Sequence, residues 1–232
     1  MMATMALLPP MLQSLFGYPV VDAGLLLAPR GLGIVLSMAV AGRLIGKGVD
    51  PRWMVGTGLL IAGYTLYEMT GWTLMMGRSH FVVTGFVQGL GLGLIFIPLN
   101  ITAFATLPPR FRTEGSSLLN LARNIGASAG ISLVTVLLAR NVQTNHAELG
   151  ANIRLDPLTA SDPVVAAVSG GATDQILAMA DGLVNQQAAM IAYLNDFKLM
   201  MILTFVAVPL VVLLKRPKVA GAVKVDADAM GH

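Results

Sequence analysis

Cysteine is absent from the 232-residue chain, which excludes disulfide frameworks, thiolate metal sites and cysteine nucleophiles. Histidine is scarce: His80, His146 and His232 stand apart, with no HExxH and no pair at ligand spacing. Hydrolytic and metal chemistry therefore have no support, and no enzyme or cofactor is expected. Charge is the third shortage. Asp, Glu, Lys and Arg make up 12% of the chain, where a soluble domain carries about 25% to keep its surface wetted. A disordered chain is excluded as well, because disorder needs low hydrophobicity and high net charge. What is present is apolar: 55% of residues are hydrophobic and the mean hydropathy is +0.73. Such a polypeptide uses lipid as its solvent. Its small basic excess, net +3, is dispersed between apolar runs and forms no patch for nucleic acid.

A membrane span needs about 20 mostly apolar residues. Five runs reach that length, at about 23–42, 53–71, 81–107, 116–139 and 197–214. Backbone groups in lipid must be satisfied internally, so these runs are expected to be helices. They far exceed the ~10-residue alternating segments of a membrane barrel. The opening run, 1–16, has no basic start or small-residue cleavage site, and does not read as a signal peptide. It is expected to be the outer part of a span whose beginning is missing. The fold class is thus an all-α integral membrane bundle of six helices over 1–214, followed by a tail over 215–232.

Basic residues orient it. Arg43, Lys47 and Arg52, then Arg110 and Arg112, then Lys215, Arg216, Lys218 and Lys224 fall on one side. The short connections on the other side hold only Arg78. The positive-inside rule puts the first set and the C-terminus in the cytoplasm. The long outer segment, 140–196, carries turn signals at Asp156-Pro157 and Ser161-Asp162-Pro163. From Asp174 onward Ile176, Leu177, Met179, Leu183, Val184, Met190, Ile191 and Leu194 recur at helical spacing. This predicts an amphipathic helix lying at the outer interface and feeding the last span.

Inside the spans polar groups are few. Arg30 and Arg123 each lie about seven residues from a span edge, roughly 10 Å deep. An arginine near a span centre costs about 2.5–3.5 kcal/mol, so each is expected to face protein or a water-filled cavity. Snorkelling to the interface is the equal alternative. Ser116, Asn120 and Arg123/Asn124 share one helix face, which then turns small at Gly126, Ala127 and Gly130. That face suits a cavity wall, or equally a seam of interhelical hydrogen bonds. Gly85, Gly89 and Gly93 recur every fourth residue, with Gly91 among them, and allow close helix crossing. No strand, Lys or Ser/Thr accompanies these glycines to make a phosphate loop. Gln88 and Asn100 are the other amides of that segment, about 120° apart around the helix. Glu68 is the only carboxylate within the runs, at the depth of an interfacial acid.

Four stretches occur in a telling order: GYPVVDAGLLLAPRGLG (17–33), GRLIGKGVDPRW (42–53), VQGLGLGLIFIPLNITAFATLPP (87–109) and SSLLNLARNIGASAGISL (116–133). Together they resemble the C-terminal half of fourteen-helix drug:proton antiporters of the major facilitator superfamily, the EmrB/QacA type. The resemblance covers the chain from Met1 to about Leu214. It implies the second six-helix bundle of a two-bundle transporter that rocks around a central cavity. Arg30 matches the family's Pro-Arg-Gly turn, Arg123 its Asn-Leu-x-Arg stretch, and Gly89, Gly91 and Gly93 its glycine-rich helix. Gly42, Arg43, Lys47, Asp50 and Arg52 match the superfamily's inner-loop signature, although Gly46 stands where an acid is expected. The family's proton-carrying carboxylates belong to the other bundle.

The expected function is multidrug efflux by proton antiport, carried by an incomplete bundle inactive alone. Its expected partners are the lipid bilayer, lipophilic or cationic small molecules, protons and an N-terminal bundle. The expected location is the bacterial inner membrane. Arg30, Gln88, Asn100, Asn120, Arg123 and Asn124 would line or gate the path, and Gly85, Gly89, Gly91, Gly93, Gly126 and Gly130 would pack helices. The alternative is a non-transporting membrane protein that associates with partners through its glycine-rich face.

Overall fold

A computed structural model describes residues 2–104, 108–152 and 173–212. Within them the chain forms six α-helices, α1 (Met2–Ser14), α2 (Val20–Gly46), α3 (Pro51–Thr70), α4 (Arg78–Phe104), α5 (Arg112–Asn152) and α6 (Thr173–Val212). A single 3-10 turn, Pro109–Phe111, precedes α5. The expected turns at Asp156-Pro157 and Ser161-Asp162-Pro163 and the tail over 215–232 lie outside the described residues.

Local chemistry sets the breaks. Gly17 takes φ +66 between α1 and α2, a left-handed backbone that side chains resist, and Pro19 then stands ahead of α2. Gly48 does the same at φ +84 between α2 and α3. Asp50 caps α3 by accepting a hydrogen bond from the Arg52 backbone N–H at 3.1 Å, with Pro51 at the first helical position.

α4 packs against α2 on one side and α3 on the other; α6 packs against α3 and α5, and α1 touches α2, α5 and α6. One end of this bundle is closed by aromatic rings. Phe81 meets Phe16 at 5.0 Å and Trp72 at 4.8 Å, and Trp72 meets Phe197 at 5.8 Å, all edge to face. Leu12, Leu66, Met69 and Tyr193 fill the space beneath. The opposite end carries the basic turns at Lys47–Arg52 and Arg110–Arg112.

Among the described residues four helices, α2, α4, α5 and α6, are long and apolar enough to cross a membrane. The sequence expectation had five such runs. α3 has the length, but Tyr64, Tyr67 and Glu68 dilute its apolar character. A second difference concerns the stretch after Asp174. It is not a separate helix: α6 runs unbroken from Thr173 to Val212. No proline interrupts it before Pro209, so nothing forces a turn into the last span. With 41 and 40 residues, α5 and α6 are each about 60 Å long, twice a hydrocarbon core of about 30 Å. They pair beyond it as well, through His146 Nε2 to Asp181 Oδ1 at 3.0 Å and Asn145 Nδ2 to the Ala188 carbonyl at 3.3 Å.

Candidate functional site

Two arginines from different helices reach one cavity. It measures about 450 Å³ and lies between α1, α2, α3, α4 and α5. Its wall is apolar, made by Met2, Met5, Ile34, Met38, Phe96 and their neighbours, with Arg30 and Arg123 as its charged members. α2 places Arg30 one residue after Pro29, where the side chain is 97% buried. Its Nη2 donates to Thr4 Oγ1 at 2.8 Å, tying α1 to α2, while its Nε is buried without a partner. α5 supplies Arg123, half-buried. Its Nη2 donates to Asn100 Oδ1 at 3.1 Å, and its guanidinium lies 5.4 Å from the Phe96 ring centre. Asn100 is held in turn, donating through Nδ2 to the Phe96 carbonyl at 2.8 Å.

An apolar pocket with a few converging polar groups is the usual form of a small-molecule site. The side chains here bind and orient; nothing in the pair is a nucleophile. Neither arginine snorkels free, since both are held by neighbouring helices.

The glycines fix how α2 and α4 meet. A methyl added at Gly89 would overlap the Arg30 carbonyl, and one at Gly93 would come within 2.6 Å of the Ile34 carbonyl. From α2, a methyl at Gly33 would overlap the Phe86 carbonyl. Ser37 strengthens the seam by donating to the Leu90 carbonyl. Gly91 faces the other way and meets α3 at Gly58: a methyl added at Gly91 would come within 2.9 Å of the Gly58 carbonyl, and one at Gly58 within 2.6 Å of the Gly91 carbonyl. A methyl added at Gly85 would make only ordinary contact, 3.8 Å from the Arg30 Cβ. The Arg30 backbone is thus clamped against α4 while its side chain enters the pocket.

Several expected members fall elsewhere. Asn120 and Asn124 are exposed on α5 and do not line the cavity. The 100° step per residue carries them past the single face that Arg123 presents to α4. Gln88 is buried, with Oε1 unpartnered, and does not line this cavity either. A methyl added at Gly126 or Gly130 would meet nothing within 4 Å. With Arg123, Met2 and Ala3 they border a second hollow of about 270 Å³ beside α1. At the inner-loop signature Asp50 serves as the α3 cap, Arg43 and Lys47 are exposed, and Gly42 has open space beside it. Glu68 is exposed and accepts from the Tyr64 hydroxyl at 3.0 Å.

Sequence reading missed three things. Thr4, the partner of Arg30, sits in a helix read only as a remnant. Gly33 and Gly58 complete the seams of Gly89 and Gly91. Asp196 is 99% buried although it had been placed in the outer segment. A signal for it existed: Ala188, Ala192, Asp196 and Met200 step by four and are all buried.

A lipid-dissolved helical bundle, with a charged pocket walled by several of its helices, is the architecture of a membrane transport protein. Residues 1–142 match the Major Facilitator Superfamily, and the chain belongs to that family. It is an integral membrane protein. Among curated relatives it is 29% identical over 217 residues to the fatty acid resistance protein FarB of Neisseria gonorrhoeae, covering 93% of this chain and 43% of the relative. It is 30% identical over 149 residues to the multidrug export protein EmrB of Escherichia coli K12, covering 63% and 29%. An uncharacterised transporter of the same superfamily from Bacillus subtilis, YhcA, is 28% identical over 159 residues, covering 68% and 29%. The chain therefore spans less than half the length of these relatives.

Proposed function

We propose that this chain is the C-terminal bundle of a proton-coupled exporter of lipophilic or cationic small molecules. It works beside an N-terminal bundle, in a bacterial inner membrane, with its C-terminus cytoplasmic. The observation that carries the reading is the cavity itself: an apolar pocket of about 450 Å³ lined by Arg30 and Arg123 from two different helices. The basic turns mark the inner end, and the aromatic cluster then lies at the outer end. A second bundle would complete the cavity's wall. Relatives bearing the names multidrug export protein and fatty acid resistance protein support a lipophilic cargo.

The rival reading, association with other membrane proteins through the glycine face, has less to stand on. Gly89, Gly91 and Gly93 are each covered by α2 or α3 of the same chain.

The test is efflux of a fluorescent lipophilic cation from cells expressing the chain with and without a matching N-terminal bundle. Efflux is expected only with both. Full gradient-driven efflux by the purified, reconstituted chain alone would overturn the proposal that it needs a second bundle. In the two-bundle protein, Arg123→Ala is expected to lower efflux at unchanged membrane abundance.

A further inference from the structure

Asp196 is the only fully buried carboxylate among the described residues. It lies on α6, sixteen residues before Val212, about 24 Å of helix away. Its Oδ2 is buried and has no hydrogen-bond partner. Phe197, the next residue of α6, is fully buried and reaches Trp72, and Tyr193, one turn before Asp196 on its own face, is buried in the same cluster, so Asp196 stands on α6 at the level of the rings that shut the outer end.

Among the described residues no cation answers it. α1 carries no ionisable side chain. On α3, Glu68 is exposed on Tyr64, and Arg52 lies at the far, inner end. On α5, Arg112 and Glu114 start the helix, Arg123 is engaged by Asn100, and Arg140 and Glu148 are exposed. His146 of α5 pairs with Asp181 of α6. On α6 itself Lys198 is exposed, and the buried titratable neighbour is Tyr193, a neutral phenol. An ionised carboxylate without a cation or a full set of donors costs several kcal/mol to hold out of water. A protonated carboxyl does not carry that cost.

We propose that Asp196 is a proton-binding site of the transport cycle, loaded from the outer side and closed over by the Trp72–Phe81–Phe197 cluster. This rests on the proton-coupled exporter reading above. Opening the outer end brings water to the carboxylate and lets it take a proton. Closing the end buries it, and only the neutral acid is easily buried. Proton uptake and outer closure are thereby linked in one direction: each favours the other. The reaction balances as carboxylate plus proton giving carboxylic acid, with no other reactant.

The experiment is infrared spectroscopy of the purified 232-residue chain in zwitterionic nanodiscs. A protonated-carboxyl C=O band is expected near neutral pH, lost in Asp196→Asn and kept in Glu68→Gln. Absence of an Asp196-dependent band would overturn the site. Asp196→Asn mimics the neutral acid, so the variant is expected to fold. Should it not, Phe197→Ala provides the second arm, because admitting water is expected to weaken the band; an undiminished band would overturn the burial argument. In the two-bundle protein, Asp196→Asn is expected to lose efflux driven by a pH gradient. Undiminished gradient-driven efflux in that variant overturns the role of Asp196 and leaves the exporter reading standing. Wild-type efflux indifferent to the gradient overturns proton coupling instead, while the band still reports on the site.

Discussion

α4 and α5 both carry small residues at four-residue spacing, Gly85/Gly89/Gly93 in one and Gly126/Gly130 in the other, yet they are used in opposite ways. On α4, Gly89 and Gly93 let the α2 backbone come so close that no side chain fits between. On α5, the positions beside Gly126 and Gly130 are open, and the helix is exposed along most of its length. The same pattern thus marks a permanent seam in one helix and a free face in the other. Small-xxx-small spacing gives permission for close approach; whether a neighbour uses it depends on what the partner helix presents. α2 presents Gly33, Ser37 and the Arg30 carbonyl in register with α4. α1, beside Gly130, leaves a hollow instead.

The contrast can be broken by substitution. Gly89→Val should have the largest effect, because its Cβ would overlap a carbonyl that cannot swing aside. Overpacking against side chains typically costs 1–3 kcal/mol, and against backbone about 3 kcal/mol or more is expected. Thermal unfolding in detergent, read by size-exclusion fluorescence, checks it; a stable Gly89→Val would show that the seam is looser than described.

Arg30→Met should come next. It removes the 2.8 Å bond to Thr4 that joins α1 to α2, and a lost buried partner costs about 1–3 kcal/mol. Hydrogen exchange should rise in α1 more than in α4, since α4 keeps its glycine seam. Gly126→Ala and Gly130→Ala are expected to be tolerated, with a gain of up to about 1 kcal/mol each from helix propensity. A clear loss of stability in either would mean that the α5 face is covered after all. The smallest change is expected from Asp181→Asn, which breaks the exposed pair with His146 and should cost no more than about 0.5 kcal/mol. Unfolding temperatures measured beside the wild type decide it.

Much of the helix set was readable because lipid imposes it: long apolar runs must be helical. The candidate site was readable in part. Arg30 and Arg123 stood out because charge is costly in a span, but their convergence joins α2 to α5, and residue spacing within one helix says nothing about a second helix. Asn120 and Asn124 illustrate the limit. They share a broad stripe with Arg123, yet only Arg123 meets α4. Asp196 was hidden by the opposite error, since a segment boundary drawn by hydropathy put a polar residue outside the bundle that buries it.

Sequence alone determined the solvent, the helical class and the family resemblance, because composition and run length answer to the bilayer and motif order is a one-dimensional property. Only the tertiary structure decided which glycines are covered, which amides face the pocket and which acid is sealed. Those outcomes depend on the rotation of each helix against its neighbours, a quantity set by the packing of whole faces and carried by no single residue.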